Sequence, residues 1–124
     1  MTHEVQFDDR VKAIVADVLA VEPKELSPDT RFFSDAGGES IEVLELSFQI
    51  EKKLGVKVDF SKLFTGEEVE IDERGVVTAD SLRRLSERYP FLAINQVGPE
   101  PTPEDMKHLF TVDAITQFIR IAAA

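Results

Sequence analysis

Cysteine is absent from the 124 residues. The chain can therefore form no disulfide framework, no thiolate metal site and no thiol nucleophile of its own, which fits a reducing compartment. Tryptophan is missing as well, and phenylalanine supplies nine of the ten aromatic side chains. Basic residues are scarce, with 14 Lys and Arg against 24 Asp and Glu and a formal net charge of −10. Binding to a nucleic-acid backbone needs clustered cations, so no nucleic-acid partner is expected. The acidity either serves solubility alone or suits a partner with a basic docking surface, since opposite fields speed encounter. No run approaches the ~20 apolar residues of a membrane span, so no membrane insertion is expected. The start, Met1-Thr2-His3-Glu4, lacks the basic segment and apolar stretch of a secretory signal, and a cytoplasmic location is expected.

What is present is enough for one domain. Hydrophobic residues make up 43% of the chain, and the length suits a single folding unit over 1–124. Val11, Ile14, Val15, Val18 and Leu19 recur at helical spacing, which predicts an amphipathic helix capped by Asp8 or Asp9 and ended by Pro23. A loop follows from Glu22 to Glu39, with a turn at Ser27-Pro28-Asp29-Thr30, a flexible approach at Gly37-Gly38, and Leu26, Phe32 and Phe33 placed to pin it. A second helix is predicted over Ser40–Leu54, with Gly55 as its terminator. Val56 to Phe60 alternates and reads as a strand or a single extended segment. Residues 69–77 suggest a small hairpin around Asp72-Glu73-Arg74. Thr78 or Asp80 caps a helix through Leu82, Leu85 and Tyr89 that Pro90 stops. Pro99, Pro101 and Pro103 make a stiff connector into a short helix ending near Phe110. Thr111 caps a last helix carrying Val112, Ile115, Phe118 and Ile119 on one face.

The stretch that carries chemistry is Asp35-Ala36-Gly37-Gly38-Glu39-Ser40-Ile41-Glu42-Val43-Leu44-Glu45-Leu46. A serine at the start of a helix reads either as a helix cap or as a modification point. The glycines open its loop side, and the helix start offers unpaired N–H groups and positive dipole to an attached phosphodiester. At 100° per residue, Val43, Leu46, Ile50 and Leu54 form one apolar stripe and Ile41, Leu44 and Phe48 a second. One stripe reaches a core. The other, bordered by Glu42 and Glu45, is either a docking surface or the seat of the segment beyond residue 65. Ser40 as a catalytic nucleophile is disfavoured, because neither His3 nor His108 sits beside an evident orienting carboxylate and no nucleophile elbow is present. No phosphate-cradling loop and no calcium-loop pattern among Asp35, Glu39, Glu42 and Glu45 is found.

With these residues the sequence resembles the acyl carrier protein family. The family's Leu-Gly-x-Asp-Ser-Leu motif is matched by Ala36-Gly37-Gly38-Glu39-Ser40-Ile41. Leu26 to Phe32 looks like the family's first loop, Glu42 to Val56 like its recognition helix and exit, and Phe110 to Ile119 like its closing helix. The resemblance covers about residues 5–64 and 105–122. It implies an all-α, acyl-carrier-like helical bundle of three main helices and a short third one. An inserted segment at about 65–104 would carry an extra helix and the small hairpin. It implies a non-catalytic carrier, with 4'-phosphopantetheine covalently attached to Ser40 by a phosphopantetheinyl transferase drawing on coenzyme A. Asp35, Glu39, Glu42, Glu45 and Glu51, with Ile41, Leu44 and Phe48 between them, would dock enzymes with basic patches. A monomer serving fatty-acid or specialised lipid biosynthesis is expected.

Two departures bear on this. Glu39 stands where the family has Asp, and Ala36 where it has Leu. Gly37-Gly38 is also reminiscent of peptidyl carrier domains, so an aminoacyl carrier and an unmodified docking module stay open beside the acyl carrier. The insertion supplies Leu82, Leu85, Tyr89, Phe91, Leu92 and Ile94. These would enlarge a groove for cargo, make a partner surface, or form a satellite core. Reversing Glu42 and Glu45 to Lys is expected to slow partner association with little loss of stability.

Overall fold

The computed structural model describes residues 2–58, 60 and 69–123, and for residues 2–6 and Ser40 it describes the backbone alone. Five α-helices appear among them: α1 (Thr2–Leu19), α2 (Ser40–Leu54), α3 (Ala79–Arg88), α4 (Pro103–Met106) and α5 (Val112–Ala123). No strand is present among the described residues, and the fold is all-α as expected.

Helix α1 is the centre of the bundle and packs on both α2 and α5. Its buried face is Val11, Ile14, Val15 and Ala16, a 3.6-residue repeat that fits a core-facing helix. α2 answers with Val43, Leu46 and Ile50, and α5 with Val112, Ala114, Ile115, Phe118 and Ile119.

The bounds of α1 differ from the sequence expectation at both ends. The helix begins at Thr2, so Asp8 and Asp9 lie within it rather than capping it. It ends at Leu19, where Ala20 turns left-handed at φ 57°. The Val21 N–H then donates to the Ala16 carbonyl at 3.0 Å, a closure that satisfies end carbonyls. Pro23 instead opens a 3₁₀ turn through Glu25.

The α2 bounds are those expected, with Gly55 left-handed at φ 71°. Thr78 caps α3 by accepting from the Ser81 N–H at 3.2 Å. Thr111 does the same for α5, accepting from Ala114 N–H at 3.0 Å. Thr102 and Asp105 exchange hydrogen bonds around Pro103 at the start of α4, and a 3₁₀ turn over Lys107–Leu109 prolongs it. The hairpin of residues 69–77 reduces to one antiparallel bridge, Ile71 with Val77. Its turn needs Gly75 at φ 80°. Val56 and Val58 pack on the core outside any strand.

The segment from 69 to 101 does not build a core of its own. Val69, Val77, Leu85, Tyr89 and Pro101 are buried. Tyr89 and Phe91 both meet Phe118 of α5 edge-on, with ring centroids 4.8 and 5.0 Å apart. Phe118 touches Phe60 at 6.0 Å, Phe60 meets Phe110 at 5.1 Å, and Phe110 meets Phe32 at 5.4 Å. Edge-to-face pairs of this kind add to simple area burial. One aromatic chain thus runs from the segment to the loop before α2, and the satellite-core reading fails.

Candidate functional site

The loop before α2 is held from behind. Phe32 N–H donates to the Phe110 carbonyl at 2.9 Å, and Val112 N–H to the Thr30 carbonyl at 3.0 Å. Together with the Arg31–Thr111 bridge these zip the loop to the entry of α5. The Asp35 carboxylate accepts from the Arg31 N–H at 2.8 Å, and Ser34 Oγ and His108 Nδ1 share a hydrogen bond of 2.8 Å. Lys107 Nζ lies 5.3 Å from the Phe33 ring centroid, within cation–π range.

The two glycines have different work, which the sequence reading did not separate. Gly37 adopts φ 73° with no heavy atom near the place of a missing Cβ, so its role is conformational. Gly38 is a packing residue. A methyl there would stand 2.5 Å from Phe32 Cε1 and 2.7 Å from the Phe32 carbonyl oxygen. The Gly38 N–H donates to that same carbonyl at 2.8 Å. The approach to Ser40 is therefore fixed against a buried ring, not loose.

Ser40 is the first residue of α2, and Glu39 occupies the cap. The helix-cap reading of Ser40 is thereby removed. Glu42 Oε1 accepts from the Glu39 N–H at 2.9 Å, the reciprocal half of a capping box. Glu42 is thus structural as well as acidic, which bears on the expectation that reversing Glu42 and Glu45 costs little stability. The spacing Glu39-x-x-Glu42 was the available signal.

Along α2 the two stripes separate as periodicity requires. Val43, Leu46 and Ile50 are buried, whereas Ile41, Leu44 and Phe48 are 70%, 59% and 60% exposed. Among the described residues, no segment seats on the second stripe to bury it. Glu39, Glu45 and Glu51 are exposed beside it, and Glu42 is half-buried. Glu45 accepts from Gln49 Nε2 at 3.0 Å, as does Asp17 of α1. Asp35 is exposed on the loop. The structure thus places one apolar, acid-rimmed face directly after Ser40.

A family model described as a phosphopantetheine attachment site matches residues 9–70. The acyl carrier protein of Nitratidesulfovibrio vulgaris (strain DP4) is 35% identical over 55 residues, covering 44% of this chain and 72% of that protein. The chain belongs to the acyl carrier protein family. The acyl carrier protein of Solidesulfovibrio magneticus is 36% identical over 50 residues, 40% of this chain and 64% of that protein. No solved structure matches the chain significantly.

Members of this family are non-catalytic carriers, and membership brings a covalent 4'-phosphopantetheine. The residues around the start of α2 fit that group. The space beside Gly37 is open. Glu42 N–H is taken by the Glu39 carbonyl at 2.9 Å, while the first N–H groups of a helix have no intrahelical acceptor. No helix among the described residues is long and apolar enough to cross a membrane.

Proposed function

We propose that this chain is an acyl carrier whose Ser40 bears the phosphopantetheine arm, presenting acyl thioesters to enzymes of fatty-acid or specialised lipid biosynthesis. The observation that carries it is the position of Ser40. It opens α2, behind a loop locked onto Phe32, with the exposed Ile41–Leu44–Phe48 face beginning at the next residue.

In the attachment step the Ser40 hydroxyl oxygen displaces the nucleotide half of coenzyme A at the pyrophosphate. A phosphodiester forms, the pyrophosphate bond breaks and the hydroxyl proton is lost. A phosphopantetheinyl transferase supplies the catalysis. The helix start favours the resulting anion by about 0.3–1 kcal/mol. Once attached, the arm supplies the thiol that the cysteine-free chain lacks. The chain's own part is to hold Ser40 at an exposed helix end and to dock enzymes. Ile41, Leu44 and Phe48 anchor the partner, and Asp35, Glu39, Glu42, Glu45 and Glu51 steer it towards basic patches.

We also read the chain as one domain over 1–124 with an insertion at about 65–104, the family match ending at residue 70. The test is intact-mass measurement after incubation with coenzyme A and a broad-specificity transferase. Wild type should gain the arm and Ser40→Ala should not. Gain by the variant, or none by wild type, would sink the reading.

A further inference from the structure

Charge is not spread evenly along α2. Its first half carries Glu42 and Glu45, with Glu39 at the cap, and its last turn carries Lys52 and Lys53. At 100° per residue, Ile41, Leu44, Glu45, Phe48 and Lys52 lie on one side of the helix, and Lys52 follows Phe48 by one turn. All five are exposed. The acid-rimmed apolar face therefore ends on a cation.

The charges around Lys52 are matched with one another. Glu51 Oε1 lies 3.9 Å from Lys57 Nζ, and Lys53 Nζ lies 4.0 Å from Asp17 of α1. Arg10 of α1 donates to the Lys53 carbonyl at 3.0 Å and adds a further cation to this end. Among the described residues, no carboxylate lies within ion-pair distance of Lys52 Nζ. Both lysines of the last turn suit the negative end of the helix dipole. Any cation in that turn does so, whichever side of the helix it occupies, so the dipole does not explain why one lysine continues the apolar face unpaired.

We propose that Lys52 selects partners, and that the enzymes this carrier serves place a carboxylate opposite it, beyond the basic patch that meets Glu39 and Glu45. The inference rests on the carrier reading above. Lys52 stands about 18 Å from Ser40 along the helix axis. A partner that is basic throughout is attracted at the Ser40 end and repelled at the Lys52 end, whereas one of mixed charge is attracted at both. Repulsion of the wrong partner is as much a source of specificity as attraction of the right one. The two opposite charges also fix the direction in which an enzyme lies along α2, so that its active-site entrance falls at Ser40. Leu44 and Phe48 between them supply the anchoring contact.

The test uses the arm-loaded protein and two helical peptides as probes. Both carry Arg at one end and Leu and Trp as apolar anchors. They differ at one position about 10 Å from the Arg, the rise from Glu45 to Lys52, which is Glu in one peptide and Gln in the other. The chain has no tryptophan, so the fluorescence of the probe reports binding directly. The Glu probe should bind wild type about two- to fivefold tighter than the Gln probe. That preference should vanish in Lys52→Gln and persist in Lys53→Gln, which removes the same charge one position round the helix. Equal binding of the two probes by wild type, a preference for Gln, a preference that survives Lys52→Gln or is lost equally in Lys53→Gln, or no binding of either probe would overturn the proposal. Intact mass separates the two failures. A protein that takes up no arm from coenzyme A defeats the carrier reading itself, whereas a loaded protein without the preference defeats only the role of Lys52.

Discussion

Adding one methyl group at Gly38 probes the loop that presents Ser40. In Gly38→Ala the new carbon would stand 2.5 and 2.6 Å from two ring carbons of Phe32 and 2.7 Å from its carbonyl oxygen. Phe32 has little room to yield, being fully buried with Phe33 and Phe110 edge-on at 5.2 and 5.4 Å. Overpacking of this kind costs about 1–3 kcal/mol. The Gly38 to Phe32 hydrogen bond must stretch as the loop backs away, adding roughly 0.5–1.5 kcal/mol. The expected loss is therefore about 2–4 kcal/mol, or on the order of 10 °C in Tm. Gly37→Ala is the control. It has the positive φ but meets no atom, so its cost is conformational, about 1 kcal/mol. Thermal unfolding of both variants, read with the rate of phosphopantetheine transfer, makes the comparison. If Gly38→Ala is as stable as Gly37→Ala, the loop is not seated on Phe32 and the account of Ser40 presentation is wrong.

Three further outcomes are expected. Glu42→Lys should lose about 0.5–2 kcal/mol through its capping bond, measurable by denaturant unfolding. Glu45→Lys should leave stability nearly unchanged and slow association with a basic partner in stopped-flow; equal destabilisation of the two would refute the distinction. Thr102 N–H bonds hold the Asp105 carboxyl below its ordinary value, with help from its own hydroxyl and from His108. Because the folded pKa is depressed, that contribution is present above the unfolded value of about 3.9 and is lost as pH falls through the folded value. Acid unfolding of Asp105→Asn should therefore be less steep below about pH 4, and an unchanged profile would count against the cap. Phe118→Ala should cost about 3–5 kcal/mol, and the unsubstituted protein should unfold in one transition by both near- and far-UV circular dichroism, because Phe118 joins residues 89–91 to the bundle. Two separated transitions would show that the segment folds alone.

Much of the bundle was legible in the sequence because helical burial leaves a periodic trace. Val43, Leu46 and Ile50 separated from Ile41, Leu44 and Phe48 as two stripes from spacing alone, though spacing did not say whether the second was covered, and Thr111 announced its helix. The ends of α1 were not legible. A left-handed Ala20 is set by packing rather than by residue preference, and Pro23 lay near enough to be mistaken for the stop. Gly38 was read as open space because the sequence does not show Phe32 beneath it. The Ser34–His108 bond spans 74 positions and leaves no local signal. The aromatic chain through Phe118 and Phe110 is likewise a product of tertiary folding, and only it reveals that residues 69–101 share the common core.

The most direct measurement takes the protein purified from its own source, digests it, and localises any added mass by fragmentation. The account predicts that the peptide containing Ser40 bears the phosphopantetheine and releases a pantetheine fragment on activation. A Ser40 peptide that is unmodified throughout, or the same mass on another residue, would contradict it.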